Sequence, residues 1–524
     1  MKKDKQIYLL YVSYVFLFIG ILGIYNFKIS NTVFFSYDSV KNYQILKELQ
    51  QGNWQNFFHH ASPALFGLYS VFLYISEQPD YLIFMSSIIQ VLGVFCWSYL
   101  LRKNDFLCLL WIALSFFVVC SSHYFSIEPL GFLLCGVFLV QIKNLIDFIT
   151  NAPNPLQANL LASEKIIFER LLLKKVVFIG FWAALLLLTN YKAIILFFWV
   201  GLFFIFQKEY RQIIFLFFWK IFGRFSLGFG SPILFVMLLG SFAGVRFLQY
   251  PAIILYIFGY AGNLKLNTTN TLDIFYYFKY FFFFENPILW VALLLFLVNS
   301  FLKKISFSRF ETLLIWILVG TWLVMSALPK APRGLVFIYP IIYYLAYKII
   351  LEWIKRLQTK SYQITAQILF LYLPLVYAST HIYTHIYAYN TPTQYSAFAK
   401  ILEEKKAKVV FTTLGLGIYP FLSNCHLEIL RSPADTTKFK DYEGKKYLLY
   451  DASATISGQN NLNLDNLLGK KNYTILKTAS ERSLLNPMLH LEASEYNGLY
   501  FEKALQKRRE LEELGVQLIL VEFL

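Results

Sequence analysis

The strongest constraint in this chain is where its charges are missing: apolar residues fall in blocks of about 16 to 22 with almost no charge inside. A helix rises about 1.5 Å per residue, so a run near 20 crosses the roughly 30 Å hydrocarbon layer of a bilayer. The blocks lie at 7–26, 81–101, 105–122, 129–146, 174–190, 193–207, 225–245, 286–302, 310–328, 334–351 and 365–383. Gly228, Gly230 and Pro232 interrupt the seventh. An aqueous fold of 524 residues would carry about a quarter charged residues, whereas here 57% are hydrophobic and 15% charged. The expected fold is therefore an α-helical polytopic membrane protein of about eleven spans. Its 54 Phe and 37 Tyr suit aromatic belts at the bilayer surfaces.

Basic residues set the orientation. Short loops carrying Lys2, Lys3, Lys5, Arg102, Lys103, Lys174, Lys175, Lys303, Lys304, Lys355 and Arg356 fall on one side, which the positive-inside rule assigns to the cytoplasm. The N-terminus is then inside and, with an odd number of spans, the C-terminal region outside. No A-x-A-like cleavage site follows the first block, which reads as a retained helix. The net charge of +16 is thus a topology signal, and no nucleic-acid-binding pattern accompanies it. Cys96, Cys108, Cys120, Cys135 and Cys425 show no metal-type spacing and read as small buried hydrophobes.

Two outer segments, 27–80 and 246–285, read as interfacial helices with aromatic faces toward lipid and charges toward water. Beyond His385 the composition becomes that of a soluble domain, so 1–385 is the membrane domain and 390–524 a small α/β domain on the outer face. Strands are expected at Lys408-Val-Val-Phe-Thr-Thr, Lys446-Tyr-Leu-Leu-Tyr and Val516-Gln-Leu-Ile-Leu-Val. Phe501 to Leu514 reads as an amphipathic helix capped by Gly515.

Ionisable groups at the outer face are the candidates for chemistry, because they cost free energy near lipid. Asp38 follows the first span in Phe34-Phe-Ser-Tyr-Asp-Ser, beside an aromatic run that would exclude water. Glu128 lies between the third and fourth spans in His123-Tyr-Phe-Ser-Ile-Glu-Pro. Either carboxylate would serve as general base toward a hydroxyl acceptor. The plain alternatives are a helix N-cap for Asp38 and a carboxylate favoured by a helix dipole for Glu128. Lys330 and Arg333 sit on the outer face against the charge bias, and such a pair suits a phosphate unless it merely snorkels. Lys192 is a similar isolated outer cation. His59 and His60 precede Pro63, and without zinc spacing such a pair reads as polar surface. Gly415-Leu-Gly417 lacks the third glycine of a dinucleotide loop.

Taken in order, these segments resemble the GT-C superfamily of membrane glycosyltransferases, in particular the protein O-mannosyltransferase and lipid A aminoarabinose transferase type. Asp38 matches the acidic residue of the first outer loop, and His60-Ala-Ser-Pro63 the HxxP-like element after it. Ser126-Ile-Glu128-Pro matches the second acidic site, and Leu188-Thr-Asn-Tyr-Lys192 an LTK-like turn with a two-residue insertion. Lys330-Ala-Pro-Arg333 through Tyr339-Pro340 matches a later K…R…YP segment.

The resemblance covers about residues 1–385. It implies transfer of a hexosyl or pentosyl group from a polyprenyl-phosphate-linked sugar to a lipid, glycan or protein at the outer face of a bacterial inner membrane. Asp38 and Glu128 would be catalytic, and Lys330, Arg333 and Lys192 would bind the donor phosphate. His60, His123 and Tyr339 would line the substrate cavity. No cofactor is implied; a divalent cation stays open, because Ser39 stands where many relatives carry a second acidic residue. The alternative is a transporter or flippase for a lipid-linked substrate, although neither an internal repeat nor paired broken helices mark one.

Overall fold

The computed structural model describes residues 2–27, 37–102, 105–151, 162–267, 272–301, 306–389, 391–413, 416–453, 462–469, 472–482 and 500–523. Each apolar block of the sequence appears as helix. The first is α1 (Lys2–Tyr25), followed by α2 (Tyr37–Gln50) and α3 (Pro63–Ile75). The second is α4 (Pro79–Arg102), and the third is broken into α5 (Phe106–Ala113) and α6 (Phe116–Ser122). Then come α7 (Ile127–Asn151), α8 (Ala162–Leu187), α9 (Ala193–Phe206), α10 (Lys208–Leu216) and α11 (Phe218–Phe242). Helices α12 (Gln249–Asn267) and α13 (Phe275–Phe284) precede α14 (Ile288–Phe301), α15 (Arg309–Ala327) and α16 (Tyr339–Ile354). The last is α17 (Lys360–Tyr387), which contains two π-helical turns.

Among the described residues α4, α7, α11, α15 and α17 are long and apolar enough to cross a membrane. The pair α9–α10, bent by 94°, makes a sixth if counted as one span. Helices of this kind mark an integral membrane protein. Shorter apolar stretches, Leu10–Tyr25 and Ile288–Val298, account for two more of the expected blocks.

Three details depart from the sequence reading. The glycines and proline of the seventh block do not interrupt it, since α11 runs through Pro232. Gly228 instead lets α11 touch α8: a Cβ there would lie 2.1 Å from the carbonyl oxygen of Val177. Small residues permit such close helix contact where lipid offers no hydrophobic drive.

The third block breaks at Leu114–Ser115, and the orphan amides of α6 are met by Glu285. Its carboxylate accepts from Phe116 N (3.0 Å), Phe117 N (2.9 Å), Ser115 Oγ (3.3 Å) and the Tyr343 hydroxyl (2.6 Å). The expectation that the aromatic faces of 246–285 turn outward is corrected for α13. There Tyr276, Tyr277, Tyr280, Phe281 and Phe284 are buried against the bundle, leaving Phe275, Phe282 and Phe283 exposed. A stripe at helical spacing wide enough to cover the neighbouring helices packs there instead.

Past α17 come α18 (Tyr395–Glu404), β1 (Val409–Thr412), β2 (His426–Ile429), β3 (Lys446–Asp451), α19 (Leu464–Leu468), β4 (Tyr473–Glu481), α20 (Phe501–Leu514) and β5 (Val516–Phe523). The sheet order is β2-β1-β3-β5-β4, parallel among the first three and antiparallel where β5 joins β3 and β4. The three expected strands and the expected helix are present, with Gly515 at φ +71 ending α20. The two strands not foreseen, β2 and β4, are the sheet edges. This segment rests on the bundle: Phe501 packs on Tyr276 and Phe283 of α13, Lys279 pairs with Glu502, and Tyr419 meets Tyr43 of α2.

Candidate active site

Asp38 is the second residue of α2, inside the first turn and not at the N-cap position that a purely structural role would favour. Its Oδ2 accepts from Nη1 of Arg333 at 2.5 Å, and its Oδ1 is 3.7 Å from Nε2 of His60. Burial alone would raise this carboxyl, but the Arg333 guanidinium and the His60 ring outweigh it and hold the group well below the usual carboxylate range. The aromatic run at 34–37 lies outside the described side chains.

His60 reaches Asp38 through an unusual backbone. His60 and Ala61 take φ of 51° and 52°, left-handed values that non-glycine residues seldom adopt and that cluster at functional sites. His59 stacks on the His60 ring with centroids 4.0 Å apart, and its Nε2 is buried without a partner among the described residues. Burial, and then the His60 charge, push the His59 imidazole down to about 3. The pair is thus no solvated surface feature, as its sequence context suggested; one member is half-buried and the other serves a carboxylate.

The remaining motif segments converge on the same region through backbone ties. One turn beyond Asp38, Asn42 donates from Nδ2 to the Phe125 carbonyl at 3.3 Å, in the loop that leads to Glu128. The amide of Ala64, at the start of α3, donates to the Leu188 carbonyl at 3.1 Å. That links the His60-to-Pro63 element to the turn ending at Lys192, whose backbone N–H donates to Asn190 Oδ1 at 3.1 Å. A Cβ on Gly131 would lie 3.2 Å from Asn190 Nδ2, so the glycine lets this turn settle on α7 one turn past Glu128.

Glu128 is buried in the first turn of α7 and forms no ion pair among the described residues. His123 is buried with its ring 5.9 Å from that of Tyr387. Tyr339 is also buried: it stacks on Phe117 at 4.3 Å and donates to the Pro332 carbonyl at 3.1 Å, bracing the backbone beside Arg333.

Lys330 is nearly buried, and burial lowers its ammonium against the opposing pull of Asp273. Its loop rests on the start of α13, where Tyr277 donates to the Ala331 carbonyl at 3.3 Å and Asp273 N to the Ser326 carbonyl at 3.2 Å. Next to Asp273 begins an apolar groove of about 380 Å³ that follows α15 along its length between α13, α14 and α16. Ile274, Phe278 and Trp322 line one end, and Phe307 and Ile349 the other. Its walls are apolar, which suits a hydrocarbon chain.

Around Asp38 the neighbours are cationic or basic. Among the described residues no three His, Cys, Asp or Glu side chains gather as a metal site. Asn42, Asn190 and the Asp38–His60 contact escaped the sequence reading, since no spacing rule links residues so far apart in the chain.

No family model matches the chain, and no curated protein matches it. Among solved structures it is similar to ArnT from Cupriavidus metallidurans in the apo state, at 10% identity over 89% of this chain and 96% of that one, with a TM-score of 0.48. The same protein bound to undecaprenyl phosphate gives 0.45 over the same shares. The archaeal oligosaccharyltransferase AglB from Archaeoglobus fulgidus, in complex with an inhibitory peptide and a dolichol-phosphate, gives 0.49 at 12% identity over 88% of this chain and 73% of that one.

Proposed function

We propose that the chain is an integral membrane glycosyltransferase that moves a sugar from a polyprenyl-phosphate-linked donor to a lipid, glycan or protein acceptor. The reaction takes place at the outer face of a bacterial inner membrane, with the N-terminus inside and the α/β domain, 390–524, outside. The observation that carries this reading is the Asp38–Arg333 pair flanked by His60, whose Arg333 loop is tied to α13, a wall of the apolar groove.

In the resting enzyme Arg333 keeps Asp38 ionised and weakly basic. The isoprenoid tail of the donor occupies the groove beside α15, and its phosphate meets Lys330 and Arg333. As the guanidinium turns its fork toward phosphate oxygens, Asp38 loses its strongest stabilising partner. Burial then raises its proton affinity toward that of a working base. The acceptor hydroxyl gives its proton to Asp38 while its oxygen attacks the anomeric carbon. The bond from that carbon to the phosphate oxygen breaks, and the electron pair leaves with the polyprenyl phosphate, whose added charge Arg333 and Lys330 stabilise. His60 holds Asp38 in place through the exchange of partners.

The test is a titration of undecaprenyl phosphate into the purified full chain in nanodiscs. Arg333→Ala should weaken binding at least about tenfold, the loss of one charge-assisted contact. Arg333→Lys should restore part of it, because a point charge lacks the fork. Unaltered affinity in Arg333→Ala rejects the phosphate role. Mass spectrometry of the cell envelope in a deletion strain identifies the product that disappears.

A further inference from the structure

A second basic cluster lies where α20 docks on the membrane bundle, and it shares no residue with the Asp38 site. Arg508 points from α20 into the contact and is 2% exposed. Its guanidinium carbon sits 4.8 Å from the centroid of the Phe284 ring. Only Nε is engaged, donating to Glu512 Oε1 at 2.7 Å; Nη1 and Nη2 are buried with no partner among the described residues. Across the contact, the last turns of α17 present His381 and His385 with ring centroids 4.3 Å apart. His381 Nε2 is likewise buried and unpartnered. Its ring is framed by Phe116 at 5.1 Å and Tyr377 at 5.5 Å, and both imidazoles feel the Arg508 charge. His385 lies on a π-helical turn, a feature found often at functional sites.

Buried polar groups without partners are rare, because removing them from water without a replacement bond is unfavourable. A guanidinium with both terminal nitrogens free is a fork that fits two oxygens of one anion. The imidazoles come from a different helix and are N–H donors in their neutral form, so they add donors for a further oxygen of the same anion. Glu512 occupies only the Nε edge and leaves the fork open. Beside the cluster α17 exposes Val376, Tyr377 and Tyr383, an apolar strip suited to acyl chains.

We infer that Arg508, His381 and His385 form a second phosphate-binding site between α20 and the end of α17. The phosphate is that of a lipid headgroup or of a free phosphate ion, and two arms of one experiment separate these sources. The full chain, stripped of lipid in detergent, is mixed with phosphatidylglycerol and examined by native mass spectrometry; in parallel its thermal midpoint is followed with inorganic phosphate alone. Arg508→Gln and His385→Asn are compared with wild type, each checked for monodispersity by size exclusion. Retention of phosphatidylglycerol by wild type, weakened at least about tenfold in both variants, identifies a headgroup site. Stabilisation of wild type but not of the variants by inorganic phosphate identifies a free-ion site. If neither probe distinguishes wild type from the monodisperse variants, the site does not exist. Should Arg508→Gln fail to yield monodisperse protein, His385→Asn alone decides.

Discussion

Replacing Asp38 by Asn separates a catalytic carboxylate from a structural one. The side chains of Asp38 and Arg333 are only 18% and 10% exposed, so their charges are poorly screened. Deleting one partner of a buried pair outright costs about 3–5 kcal/mol. Asn keeps an amide oxygen for Arg333 to bond, which brings the expected loss to about 1–3 kcal/mol, enough to lower the melting midpoint yet compatible with folding. The amide cannot accept the acceptor's proton, so product formation should fall by at least about a hundredfold, roughly 2.7 kcal/mol of transition-state stabilisation.

Donor affinity should move the other way. With the carboxylate gone, Asp38 no longer competes with phosphate for the Arg333 fork, and undecaprenyl phosphate should bind as tightly as to wild type or more tightly. The assay pairs envelope mass spectrometry of a complemented deletion strain with the titration in nanodiscs. Near wild-type product from a well-expressed Asp38→Asn variant refutes the base assignment and leaves Glu128 as the candidate. Weakened donor binding in the same variant refutes the exchange of partners.

Three further outcomes are expected. His59 has a folded pKa of about 3, below its unfolded value near 6.5, so the unfolded chain binds the extra proton. Its contribution is therefore unfavourable as pH falls from about 6.5 toward 3, and His59→Gln should flatten the decline of thermal stability across that window; an unchanged profile contradicts this. Glu285→Gln replaces an acceptor of four hydrogen bonds at the start of α6 and should destabilise the protein by about 1–3 kcal/mol, read from its melting midpoint in detergent. A reporter fused after Leu524 should be active only outside the cytoplasm, and a cytoplasmic signal would overturn the eleven-span topology.

What the sequence determined on its own is what depends on neighbours along the chain. Apolar blocks long enough for a bilayer must become helices, because no water is present there to satisfy an open backbone. The amphipathic run before Gly515 likewise contains its own stop signal. The edge strands β2 and β4 were not legible for a related reason. Each has one flank unpaired and much of its length exposed, so neither carries the apolar run that marks the central strands.

The residue types that meet around Asp38 were also readable, since charge placed against the loop bias is a local signal. Their partnerships were not. Asp38 and Arg333 are 295 residues apart, and only the packing of α2 and the loop after α15 around the bundle makes them an ion pair. The same packing decided that Glu285 caps a broken helix rather than facing the outer surface, and that Gly228 is a contact point rather than a break. It also left Nη1 and Nη2 of Arg508 buried without a hydrogen-bond partner among the described residues. Electrostatic energy depends on separation and burial in space, and neither is a property of position along the chain.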